Sequence, residues 1–148
     1  MTTEIKRVLL AEDDARDAEL TITALRPSGM GNQLIHVQDG AEALDYLLRR
    51  GKFSNRPGGN PALVLLDLKM PKVDGLQALR AIRADEHLRL IPVVILTSSR
   101  EEKDLVESYK LGANAYVVKP VHFEEFLRAV KELGMFWILI NQAPPSAP

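Results

Sequence analysis

Four short stretches of the chain are apolar without polar alternation: Val8 to Ala11, Leu63 to Leu66, Val93 to Leu96 and Ala115 to Val118. A strand that packs on one face alternates apolar and polar side chains. Unbroken runs of Val, Leu and Ile instead mark strands covered on both faces, as in parallel sheets. A weaker fifth run covers Gln33 to Val37. Between the runs the apolar residues fall at helical spacing. The groups are Ala15, Ala18, Ile22 and Leu25; Leu44, Leu47 and Leu48; Leu76, Leu79 and Ile82; Leu105, Val106 and Tyr109; and Phe123, Phe126, Leu127 and Val130. Strand and helix alternate five times, which predicts a doubly wound α/β sheet of five parallel strands with five helices. Breakers separate the elements. Asp39-Gly40 precedes the second helix, Asp74-Gly75 opens the third, and Leu111 to Asn114 ends the fourth with a glycine cap. The Pro- and Gly-rich stretch from Gly51 to Pro61 predicts an exposed, mobile loop.

Length and composition bound this picture. A chain of 148 residues that is 46% hydrophobic and 26% charged suits one soluble domain with a substantial core. The net charge of −1 gives no general attraction to nucleic acid or anionic membrane. With no cysteine there is no disulfide, thiol catalysis or zinc–thiolate site. The longest apolar run, Met135 to Ile140, is too short to span a bilayer, and a cytoplasmic location is expected. His36, His87 and His122 show no metal-ligand spacing and read as structural or surface residues.

The polar residues that interrupt the strands carry the chemistry. Ligands of open parallel sheets bind outside the carboxyl ends of the strands. Asp13 and Asp14 follow the first strand, Asp67 ends the third, Thr97 and Ser98 end the fourth, and Lys119 follows the fifth ahead of Pro120. Taken alone, Asp13-Asp14 would suit a helix N-terminus. Together with Asp67 they form a carboxylate group that repels itself unless a cation is present. Hard oxygen donors of this kind take Mg²⁺. Asp67 is the candidate nucleophile, since a carboxylate can accept a phosphoryl group as an acyl phosphate. Lys119 offers a cation to one phosphoryl oxygen, and Thr97 offers a hydroxyl to another.

In five places the sequence resembles the receiver domain of two-component response regulators: Leu10-Ala11-Glu12-Asp13-Asp14, Leu66 to Pro71, Asp74-Gly75, Ile95 to Ser98, and Gly112-Ala113 leading to Tyr116 through Pro120. The pieces appear in order and span residues 5 to about 133. The resemblance implies a flavodoxin-like fold with strand order 2-1-3-4-5. It implies phosphorylation of Asp67 by a sensor histidine kinase, with Mg²⁺ held by Asp13, Asp14, Asp67 and the Lys69 backbone carbonyl. It further implies a switch pair of Thr97 and Tyr116 and a cis peptide before Pro120. Such a module is a phosphoacceptor that promotes only its own phosphorylation and dephosphorylation. The long loop ahead of the third strand and the tail from Phe136 to Pro145 resemble single-domain regulators that partner bacterial phytochromes.

Rival readings are a phosphorylation-independent pseudo-receiver and an aspartate-dependent phosphohydrolase. The first sits badly with a full set of active-site groups. The second would carry its nucleophile in an Asp-x-Asp motif after the first strand. A receiver covering 1–134 leaves 135–148 as an apolar segment and a Pro-rich tail. That tail is too short for a helix-turn-helix, so output is expected through protein contacts rather than DNA. Its Phe136, Trp137, Ile138 and Leu139 exceed what one small domain needs to bury and predict a homodimer interface.

Overall fold

A computed structural model describes residues 7–25, 34–122, 124–126 and 128. The strands are β1 (Val8–Ala11), β2 (Leu34–Val37), β3 (Leu63–Leu66), β4 (Val93–Thr97) and β5 (Ala115–Val118). The helices are α1 (Ala15–Leu25), α2 (Gly40–Leu48), α3 (Gly75–Ala84) and α4 (Glu102–Lys110), with a short 3-10 turn at Gly51–Phe53. Residues 124–126 and 128 are also helical and belong to the fifth helix. All strand pairs are parallel, in the order β2-β1-β3-β4-β5. This is the flavodoxin-like fold. The chain leaves β1 toward one edge and returns at β3 toward the other, so the strand order reverses between β1 and β3. Crevices at such reversals are where ligands of open α/β sheets bind.

Every residue of β1, β3 and β4 is buried, as the unbroken apolar runs require. Alternate residues feed two separate cores. Val8, Leu10, Leu63, Leu65, Val94 and Leu96 pack with Ala18 and Leu25 of α1 and with Phe126. Leu9, Ala11, Val64, Leu66, Val93 and Ile95 pack with α2 and α3 through Ala43, Leu47, Leu79 and Ile82. The helices on this second face start at side-chain caps. The Asp39 carboxylate accepts from the Glu42 N–H at 2.8 Å. Asp74 and Gln77 form a capping box, each side chain bonded to the other's backbone N–H.

Three expectations change. The run from Ala115 to Val118 forms the edge strand β5, in which Val117 alone is buried. Leu105, Val106 and Tyr109 share a face of α4, but that face is turned outward and they are 37–49% exposed. The residue α4 buries is Ser108, whose hydroxyl donates to the Asp104 carbonyl at 2.7 Å. The stretch from Gly51 to Pro61 is not a free loop. Arg7 donates to the carbonyls of Gly58 and Gly59 at 2.9 and 2.8 Å and to the Tyr46 hydroxyl at 3.1 Å. Arg56 lies over the Tyr46 ring and donates to the Tyr46 and Gly59 carbonyls at 2.7 and 3.0 Å. Backbone carbonyls that would otherwise need water are bonded to two guanidinium groups instead.

Candidate functional site

Strand register builds the site. Ala11 pairs with Leu66, which sets Glu12 level with Asp67, and the Asp67 N–H donates to the Ala11 carbonyl at 3.1 Å. Glu12 is held by the edge strand as well. Its N–H donates to the Val37 carbonyl at 3.0 Å, and its own carbonyl meets His36 Nε2 at 2.8 Å. A carbonyl only accepts, so His36 carries a proton on that nitrogen. Glu12 and Asp67 are buried, whereas Asp13 and Asp14 are exposed.

Lys119 closes the site from the end of β5. Its Nζ lies 2.6 Å from Glu12 Oε1, 3.0 Å from Asp67 Oδ2 and 3.0 Å from Asp17 Oδ2. Burial by itself would lower the Lys119 pKa, but bonds to Glu12, Asp17 and Asp67 outweigh it and hold the ammonium above its ordinary range. Burial, with Asp67 alongside, pushes the Glu12 carboxyl up from 4.5 to about 7 against the pull of Lys119.

Carboxylate oxygens of Glu12, Asp13 and Asp67 all lie within 4.8 Å of one another. Three oxygen donors of a single sign, two of them buried, fit a hard divalent cation. Asp14, expected among the ligands, lies outside this cluster. Its Oδ1 accepts from the Asp17 N–H at 2.9 Å and caps α1. Glu12 takes its place. Sequence reasoning passed over Glu12, although its position as first residue beyond the run, matching Asp67 beyond its own run, was the available signal. Asp17 was likewise unmarked, and no feature of the sequence alone pairs it with Lys119.

Gly75 lets α3 approach the Asp67 loop. Its N–H donates to the Leu68 carbonyl at 2.9 Å, and a Cβ there would lie 2.1 Å from the Asp67 carbonyl oxygen. Only glycine fits this contact.

Residues 8–131 match the response regulator receiver domain model. The chain belongs to the response regulator receiver family. It is 41% identical over 143 residues to "Probable methanogenesis regulatory protein FilR2" of Methanothrix harundinacea (strain 6Ac), covering 95% of this chain and 88% of that one. It is 57% identical to the bacteriophytochrome response regulator AtBRR, with a TM-score of 0.84 over 95% of this chain and 100% of that one. The phosphorylated cyanobacterial phytochrome response regulator RcpA is 37% identical, with a TM-score of 0.76 over 97% and 100% of the two chains. The Mn²⁺-bound form of response regulator Rcp1 is 35% identical, with a TM-score of 0.74 over 96% and 99%.

The remaining receiver residues lie around this centre. Thr97 is buried at the end of β4, and its Oγ1 accepts from the Ser99 N–H at 3.2 Å, leaving its own O–H to donate elsewhere. Tyr116 is half-buried in β5, and its hydroxyl donates to the Ser99 carbonyl at 3.0 Å. Burial raises the Tyr116 pKa, helped by the carboxylates of Asp104 and Glu101. The Ser99 hydroxyl donates to Asp104 at the start of α4. Lys69 is exposed, and its N–H lies 3.4 Å from Asp67 Oδ1. The Lys119–Pro120 peptide is cis. Phe136, Trp137, Ile138 and Leu139 lie outside the described residues. Among the described residues no helix is long and apolar enough to cross a membrane.

Proposed function

We propose that the chain is a phosphoacceptor in which Asp67 takes a phosphoryl group from the phosphohistidine of a sensor histidine kinase. An Asp67 oxygen attacks phosphorus, the P–N bond breaks, and the imidazole nitrogen leaves with the electron pair and regains a proton. Glu12, Asp13, Asp67 and the Lys69 carbonyl would hold Mg²⁺, whose charge offsets that of the phosphoryl oxygens. Lys119 and the Thr97 hydroxyl would bind the other phosphoryl oxygens. The observation that carries this reading is the buried Asp67, with the Lys119 ammonium at 3.0 Å and two further carboxylates beside it.

Signal output follows from the same groups. Thr97 drawn toward a new dianion would free space that Tyr116 fills, changing the face of α4 and β5 and its affinity for a protein partner. A phytochrome-type kinase is the proposed donor, supported by 57% identity to AtBRR. No DNA contact is part of this reading. A small-molecule phosphodonor with Mg²⁺, read by intact mass, tests it. Wild type should gain one phosphoryl group, and Asp67→Asn should gain none; an equal gain by the variant would remove Asp67 from the reaction.

A further inference from the structure

We propose that Asp17 is a resting-state restraint on Lys119, releasing the ammonium when a phosphoryl group arrives on Asp67. The inference rests on the phosphoacceptor reading and names a residue that tunes it. An ammonium has three N–H donors and no acceptor. Lys119 Nζ spends them on Glu12 at 2.6 Å, Asp17 at 3.0 Å and Asp67 at 3.0 Å. The donor that serves Asp67 can pass to a phosphoryl oxygen only as Nζ moves toward it, and the bonds to Glu12 and Asp17 resist that move.

The three partners are not equivalent. Glu12 is 2% exposed, so water cannot reach it to replace a lost bond to Lys119. Asp67 carries the phosphoryl group itself, so the bond to it passes to the new oxygens. Asp17 is 41% exposed, and water can take over its lone pairs. Its backbone stays fixed when the side chain lets go, because its N–H is bonded to Asp14 Oδ1 at 2.9 Å. It sits in the first turn of α1, where a carboxylate also gains from the helix N-terminus. Asp17 stands outside the carboxylate cluster that suits a cation among the described residues. Its charge therefore acts on Lys119 and on the incoming dianion. Removing its charge lets Nζ move toward the phosphoryl oxygens and removes a repulsion.

The test is beryllofluoride, a phosphoryl mimic, titrated into the full chain at saturating Mg²⁺ and followed by amide NMR shifts. Asp17→Asn should bind it roughly two- to fivefold more tightly than wild type, the range set by loss of a half-exposed ion pair. Asp17→Ser should do the same, which guards against a folding defect in either variant. Glu19→Gln removes an equal charge from an exposed position on the same helix and should leave the affinity at the wild-type value. Unchanged or weaker binding by both Asp17 variants would overturn the inference while leaving the phosphoacceptor reading intact. So would an equal gain from Glu19→Gln, which would reduce the effect to net charge. Wild type that fails to bind beryllofluoride at all would overturn the phosphoacceptor reading, and this inference with it.

Discussion

Glu12 meets two opposing demands: it is buried beside Asp67, yet it holds the shortest bond to Lys119. Its carboxyl is raised from 4.5 to about 7 in the fold. A raised carboxyl contributes stability that is complete below its unfolded value and is lost as pH climbs through the folded one. Metal-free protein should therefore lose stability between pH 4.5 and about 7 on account of Glu12. The elevated Lys119 pKa adds nothing in that window, since its contribution fades only above 10.5. Thermal melts across this range should show a flatter profile for Glu12→Gln than for wild type; parallel profiles would contradict the assignment. Lys119→Met should destabilise metal-free protein by about 3 kcal/mol, because it leaves buried carboxylates without their cation. Urea unfolding with and without Mg²⁺ checks this, and added Mg²⁺ should recover part of the loss. Asp67 and Lys119 were legible in the sequence because each directly follows an apolar run. Glu12 and Asp14 were not told apart, since three consecutive acids differ only by where the strand ends and the α1 cap begins.

At the level of elements, the site depends on helix ends brought close to strand ends. A methyl group at position 75 would press on the Asp67 carbonyl and on Leu68 Cα at 2.1 and 2.8 Å, and both obstacles are backbone. Gly75→Ala should cost about 1–3 kcal/mol in urea unfolding and slow phosphorylation by moving the Asp67 loop; unaltered stability and rate would show that α3 shifts without consequence. The helices α2 and α3 were readable from spacing because Leu79 and Ile82 of α3 and Leu47 of α2 do face the core. Spacing misplaced α4 for a physical reason. Its apolar residues line one face, but periodicity reports that a face exists, not which side the sheet takes. Ser108, polar and without hydrophobic signal, occupies the buried position. The loop of 51–61 misled in the opposite sense. Pro and Gly marked it as irregular, while the restraint comes from Arg7 and Arg56, distant in sequence or outwardly ordinary.

Across the whole molecule, two cores on opposite faces of one parallel sheet hold β1 and β3 side by side, and the functional groups inherit their proximity from that reversal in strand order. The unbroken apolar runs made this architecture legible, whereas the segment of 135–148 was legible only as a surplus of apolar residues in the sequence. If that surplus forms a homodimer, truncation after Gly134 should convert the protein from dimer to monomer in sedimentation; an unchanged dimer would place the interface elsewhere. Everything proposed for this molecule depends on Asp67 being the phosphoacceptor within a cation-dependent carboxylate site. Borohydride reduction of the phosphodonor-treated protein, followed by peptide mass mapping, tests it most directly, because an aspartyl phosphate is reduced to homoserine. Homoserine is expected at position 67, formed only when Mg²⁺ is present. Homoserine at Asp13 or Asp14, or at 67 without regard to the cation, would contradict it.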